Sequence, residues 1–252
     1  MNSGQAVKRH GRSGESLQLI FPRESKLGFW NSIDDPWSIE IASSKYDFVI
    51  IDLEHGFRDF SSFVSMYFAL SKGMEVFVRV RSETDPWVQS LLDIGVTKFV
   101  VPQIRSIAQL QGFVQRVQWP PNGHRGYHPR SRSSKMNAND LRGEIDVVPI
   151  IETEESLGLI ERLLSIKEVS ALYFGSYDLS VNLDLEGPGD PRILSHLAAV
   201  AARCQIAGKG FISMPVNQAQ MEAAIQAGSS SFVVGVDTQM LKVAFDNLTT
   251  RE

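Results

Sequence analysis

The chain has one cysteine in 252 residues, Cys204. A single thiol excludes an internal disulfide and fits a reducing cytoplasm. Inside the run LAAVAARCQIAG it reads as a small buried helix residue. Nothing approaches the roughly 18 consecutive apolar residues of a membrane span. Positive charge is not in excess either. The formal net charge is −4, which argues against nucleic acid as a partner, because phosphate recognition needs clustered Lys and Arg. The first apolar run is not followed by G-x-G-x-x-G, and no P-loop is present, so nucleotide-fold readings are weak. Behind the charges of the N-terminus there is no apolar core, so residues 1–25 read as a flexible tail rather than a targeting peptide.

What is present is alternation. LGFW (27–30), FVIIDL (48–53), EVFVRV (75–80), KFVVPQ (98–103), DVVPIIE (146–152), SALYFG (170–175), GFISMP (210–215) and SFVVGVD (231–237) are short apolar runs, each followed by a segment of helical period. Strands alternating with helices imply a parallel sheet with covering helices. Eight such units in one domain, residues 26–252, fit a (β/α)8 TIM barrel better than an open sheet. Asp85-Pro86 and Asp190-Pro191 have the form of an N-cap followed by a first-turn proline. Gly95, Gly208 and Gly228 stand where helices end. The segment 119–145 is too long for an ordinary loop and too polar for core, which marks it as functional or mobile. Its basic stretch, HRGYHPRSRSSK, is either a solvated loop or a cap in which Arg125 or a neighbour receives an anionic substrate tail.

A barrel carries its chemistry at the C-terminal ends of its strands. Those ends here are polar: Asp52, Glu54 and His55 after the second run, Arg79 on the third, Gln103 on the fourth, Glu152 on the fifth, Asp178 beyond the sixth and Asp237 on the eighth. Lysines Lys26, Lys98 and Lys209 mark the opposite ends. Glu152 and Asp178, on adjacent strands, suit a hard divalent cation that keeps positions for water and substrate; the alternative is that each is solvated or paired with Arg. His55 has three readings: metal ligand, general base or structural histidine. Asp52, three residues earlier, is placed to orient its ring. Arg79 suits a carboxylate or a developing oxyanion, and its alternative is a salt bridge to Glu54 or Glu152. None of the nine lysines ends a strand, which excludes Schiff-base chemistry at the barrel mouth. Carbon–carbon bond chemistry next to a carbonyl would therefore use a metal.

The strings DFVIIDLEHG, LLDIGVTKFVVPQI, WPPNGHRGY, IIETEESL, YFGSYDLS and VVGVDTQML, in this order, resemble the HpcH/HpaI family of class II pyruvate aldolases over residues 26–248. The resemblance implies a (β/α)8 barrel of the phosphoenolpyruvate/pyruvate type. It also implies a homohexamer, a trimer of dimers that exchange their last helix, and a divalent ion, Mg, Mn or Co. The substrates it implies are a small α-keto acid and an aldehyde. Glu152 and Asp178 match the metal ligands, His55 and Asp52 the base and its orienting carboxylate, and Glu54 an acidic neighbour in the same motif. Arg79 matches the arginine at the carbonyl oxygen, and Asp93 an aspartate that reaches a neighbouring subunit's site. Gly175, Ser176, Tyr177, Gln103 and Ile212 complete the substrate-binding set, with N–H groups around Tyr177 and Asp178 holding the substrate carboxylate.

Three positions depart from the family pattern. Ile150 stands where a glutamine is usual before the metal-ligand glutamate, Gly175-Ser176-Tyr177-Asp178 replaces G-P-A-D, and Arg81 competes with Arg79 for the arginine role. Three functions follow in order: a metal-dependent aldolase acting on 4-hydroxy-2-oxo acids, a citrate-synthase-like or citryl/malyl-CoA-lyase-like enzyme, and a non-catalytic ligand-binding barrel.

Overall fold

A computed structural model describes residues 19–56, 58–70, 73–128 and 145–248; most of the expected N-terminal tail and the basic residues 129–144 lie outside them. Eight strands form a closed parallel barrel in sequence order, the last pairing with the first. They are β1 (Lys26–Asn31), β2 (Phe48–Asp52), β3 (Glu75–Arg79), β4 (Lys98–Val101), β5 (Asp146–Ile151), β6 (Ala171–Phe174), β7 (Gly210–Ser213) and β8 (Ser231–Val236). The helices are α1 (Pro36–Ser43), α2 (Phe60–Leu70), α3 (Val88–Ile94), α4 (Ile107–Val117), α5 (Glu154–Leu157), α6 (Ile160–Leu164), α7 (Ser176–Asn182), α8 (Pro191–Ile206), α9 (Gln218–Gln226) and α10 (Asp237–Leu248). Among the described residues no helix is long and apolar enough to cross a membrane.

β2 shows why the strands read as continuous apolar runs. Successive side chains point to opposite faces. Phe48 and Ile50 join the inner cluster that fills the barrel, with Trp30, Phe77, Val100, Val148, Ile150, Tyr173 and Val233. Val49 and Ile51 join the outer cluster against the helices. All four are at most 2% exposed, and each is worth about 1.5–3 kcal/mol on burial. Phe48 fits because Gly28, its partner on β1, has no side chain: a Cβ there would lie 2.3 Å from the Phe48 ring. That ring is held edge-on to Phe77 at 5.8 Å. Gly28→Ala is therefore expected to destabilise the barrel by about 1–3 kcal/mol, read as a lower urea midpoint with the slope unchanged.

Local chemistry sets the helix starts. Asp190 accepts from the Arg192 N–H and Pro191 opens α8, as expected. The same device at Asp35-Pro36 opens α1. At Asp85-Pro86 the carboxylate likewise accepts a backbone N–H, that of Trp87 at 2.9 Å, and it is also held by the Arg81 guanidinium at 2.6 and 3.0 Å; the regular turns of α3 start two residues beyond the proline, at Val88. Gly95, Gly208 and Gly228 end their helices with positive φ. The helix expected after β5 is two short ones, broken between Leu157 and Ile160. α7 is an additional helix, placed directly at the end of β6.

At the bottom of the barrel Lys98 joins Glu75 at 2.9 Å and Asp146 at 2.5 Å. The lysine end is thus a tie between strand starts, and the polar tips collect at the other end.

Candidate active site

At the C-terminal end of the barrel is a pocket of about 270 Å³, lined by Asp52, His55, Arg79, Glu152, Tyr177 and Asp178 among others. Parallel register sets Asp52, the last residue of β2, opposite Arg79, the last of β3. The Arg79 guanidinium donates to both Asp52 oxygens, Nε at 2.9 Å and Nη2 at 2.6 Å. Its Nη1 meets Glu54 Oε2 at 2.8 Å, and its face lies 4.6 Å from the Trp30 ring centroid. Burial works against the charge on Arg79, yet its hydrogen bonds to Asp52 and the charges of Asp52 and Glu54 hold its pKa above the ordinary value. Arg81 instead pairs with Asp85 and stacks on Trp87, and of the two it is Arg79 that lines the pocket. Its alternative reading also holds in part, since it does bridge to Glu54.

Asp52 steadies the loop that carries His55 rather than the imidazole. Its Oδ1 accepts the backbone N–H groups of Glu54 and His55 at 2.9 and 3.2 Å. The ring lies with Nε2 3.9 Å from Glu54 Oε2, on a side chain 69% exposed. Glu54 thus lies within 4 Å of both the Arg79 guanidinium and the His55 ring. Burial raises its pKa, opposed by Arg79 and then His55.

Glu152 is buried, and its Oε1 accepts the backbone N–H of Gln103 at 2.6 Å. Gln103 reaches it through the main chain, at φ 54°, while its side chain accepts from Arg105. Burial pushes the Glu152 carboxyl up to about 7; the charges of Asp178 and Glu54 add to this, against the Gln103 N–H and Arg79. Room for the carboxylate comes from Gly175, where a Cβ would lie 2.9 Å from both Glu152 Cβ and Ile150 Cγ2. Asp178 stands in the first turn of α7. Among the described residues no group of three or more His, Cys, Asp or Glu gathers as a metal site. What the pocket offers is a pair of oxygen donors, Glu152 and Asp178, with excess negative charge. That fits a hard divalent ion retaining water or substrate ligands.

Other expected positions fall elsewhere. Ile212 belongs to the inner barrel cluster, one inward-facing layer below the pocket, and Met214 two residues on lines the pocket instead. Arg125 is buried, stacked on Trp119 at 4.2 Å and 3.6 Å from Asp93; neither Arg125 nor Asp93 lines this pocket. Asp237 accepts from the side chain of Asn31 and the backbone of Ser32 and Ile33, so it fixes the loop after β1. Gly175, Ser176 and Tyr177 do line the pocket, as does the apolar Ile150. Sequence reading missed Trp30, Tyr173, Met214 and Val236 in the lining. Strand parity was the available signal for Tyr173, since Leu172 and Phe174 face the helices.

A family model described as HpcH/HpaI aldolase/citrate lyase matches residues 26–244. The chain is 28% identical over 244 residues to a hydroxypyruvate/pyruvate aldolase of Pseudomonas aeruginosa, spanning 93% of this chain and 91% of that one. An HpcH/HpaI aldolase/citrate lyase family protein from Burkholderia cenocepacia superposes with a TM-score of 0.80 at 23% identity, covering 89% of this chain and 93% of that one; it attests the fold. The citrate synthase SbnG superposes with a TM-score of 0.78 at 26% identity, covering 89% and 91%.

Proposed function

The chain belongs to the HpcH/HpaI aldolase/citrate lyase family, and from that premise we propose a metal-dependent aldolase. It cleaves a 4-hydroxy-2-oxo acid to pyruvate and an aldehyde, or runs the reverse addition. The observation that carries this reading is the meeting of Glu152, Asp178 and Arg79 at one pocket. Glu152 and Asp178 would hold the ion. A divalent ion bound there would act as a Lewis acid on the keto-acid oxygens.

The protein's own groups do the rest. Backbone N–H groups at Tyr177 and Asp178 receive the substrate carboxylate. His55 takes the proton from the C4 hydroxyl, with Glu54 beside the ring to favour the imidazolium that forms. The C3–C4 bond breaks, its electron pair passes to the keto acid as enolate, and the aldehyde leaves. Arg79 faces the developing oxyanion and is already oriented by Asp52 and Glu54, so little reorganisation accompanies the charge. Reprotonation at C3 gives pyruvate.

In the assembly we propose, a trimer of dimers, α10 is exchanged between subunits and Asp93 serves a neighbouring site. Support comes from α10, in which only Asp237 is buried while Leu241, Val243 and Leu248 are exposed. A second reading, enolate chemistry of the citrate-synthase or citryl/malyl-CoA-lyase type on the same scaffold, is favoured by the likeness to SbnG.

The test is pyruvate C3 proton exchange in D2O by NMR, with EDTA and then with Mg, Mn or Co. Exchange that appears only with metal is the expected result. Exchange equally fast in EDTA removes the metal from enolate formation, and no exchange with any of the three ions demotes the pyruvate aldolase and moves the citrate-type reading forward.

A further inference from the structure

The floor of the pocket holds a hydroxyl that the mechanism above does not use. Tyr173 projects inward from β6 and Trp30 from β1, and the two close the barrel beneath the pocket, ring centroids 5.4 Å apart and edge-on. Trp30 Nε1–H donates to the Tyr173 oxygen at 2.8 Å. Indole is a donor only, so the direction of this bond is fixed. The phenol therefore spends a lone pair on Trp30 and keeps its own hydrogen for another acceptor. Among the described residues no acceptor meets it; the Trp30 contact is its one hydrogen bond there. Tyr173 is 4% exposed, and a buried hydroxyl with an unused hydrogen is costly unless a ligand or a water takes it.

The surroundings narrow the ligand. Ile150, the register partner of Tyr173 on β5, is apolar, as are Met214 and Val236 across the pocket. At the floor, then, polarity comes from this hydroxyl. Burial raises the Tyr173 pKa, so it stays a donor through the working range. It sits two residues before Gly175 on the strand leading to Asp178, with Glu152 two residues beyond its register partner. A keto acid held at Glu152 and Asp178 thus has this donor beneath it.

We propose that Tyr173 is a specificity-determining residue that donates a hydrogen bond to a C3 hydroxyl on the keto acid, making a 3-hydroxylated 2-oxo acid such as hydroxypyruvate the preferred nucleophile. The inference rests on the aldolase reading. A floor with phenylalanine there would offer the C3 substituent only carbon. A hydroxyl donor instead favours the hydroxylated acid, since a site built to hydrogen-bond a substrate hydroxyl discriminates against the analogue without it.

The experiment compares kcat/KM for hydroxypyruvate and for pyruvate as nucleophiles toward one uncharged aldehyde, in the metal-loaded wild type and in Tyr173→Phe. Removing one oxygen atom keeps the ring and its packing. The expected result is a hydroxypyruvate-to-pyruvate ratio about tenfold lower in the variant, most of it in KM for hydroxypyruvate. An unchanged ratio overturns the proposal, as does an equal loss on both acids, the signature of a structural role. If the variant does not fold, the wild type still decides: in it, hydroxypyruvate must compete against pyruvate with the lower inhibition constant, and a constant equal to or above that of pyruvate overturns the proposal. Failure of the aldolase reading shows differently, as absence of metal-dependent C3 exchange with either acid.

Discussion

Replacing Glu152 by glutamine is expected to lower metal-dependent turnover at least about a hundredfold while leaving the metal-free protein more stable at pH 8 than the wild type. Both effects have one origin. The Glu152 carboxyl is buried beside Asp178 and Glu54, and its pKa stands at about 7 against an ordinary 4.5. Between those values the folded chain holds a proton that the unfolded chain has released. Wild-type stability without metal therefore falls as pH rises across this window, and the loss is complete above about 7. Glutamine still accepts the Gln103 N–H but has no charge to desolvate, so the variant escapes this loss. Urea denaturation in EDTA at pH 5 and pH 8, beside steady-state cleavage assays, measures both. A variant that retains full metal-dependent activity would remove Glu152 from the ligand set. A wild-type-minus-variant stability difference that does not change with pH would refute the raised pKa.

Arg79→Ala is expected to slow pyruvate exchange and aldol cleavage alike by about a hundredfold or more, and to destabilise the fold by about 3–5 kcal/mol. The first effect follows from its place in the pocket lining. The second follows from Asp52, which is 2% exposed and loses two hydrogen bonds when the guanidinium goes. Arg79→Lys keeps the charge without the fork, so it should recover part of the stability and less of the rate. Arg81→Ala, on a side chain that faces Asp85 and Trp87, should change either rate by no more than about twofold. Equal rate losses in the Arg79 and Arg81 variants would show that a permanent cation at the pocket is not what stabilises the enolate.

The barrel was legible because its strands are buried on both faces and punctuated regularly. Eight apolar runs gave eight strands within a residue or two of their observed ends. The polar tips were legible for the same reason: a strand that is apolar through Ile51 has no packing use for Asp52 next to it. What periodicity could not supply was the choice of partner. Asp52 is three residues from His55, which suggested a dyad, yet the register across the sheet brought Arg79 to the same carboxylate in a two-point geometry that an imidazole cannot match. Asp85-Pro86 looked like a cap, and Asp85 does accept the Trp87 N–H, but periodicity gave no sign that the same carboxylate also holds Arg81. Ile212 was one strand layer too deep, and Tyr173 was hidden because an aromatic inside an apolar run reads as core.

One backbone angle has a consequence for how this protein should fail under heat. Gln103 holds a left-handed conformation that costs a non-glycine residue on the order of 1–3 kcal/mol, and it aims one N–H at Glu152. That segment follows β4 and is tied to the end of β5 through Glu152. As temperature loosens the rim, residue 103 is free to relax before the strands part, and the carboxylate it steadies loses its direction first. Inactivation and unfolding are then separate events with separate midpoints, and residual activity is a poor gauge of how much of the barrel is still intact.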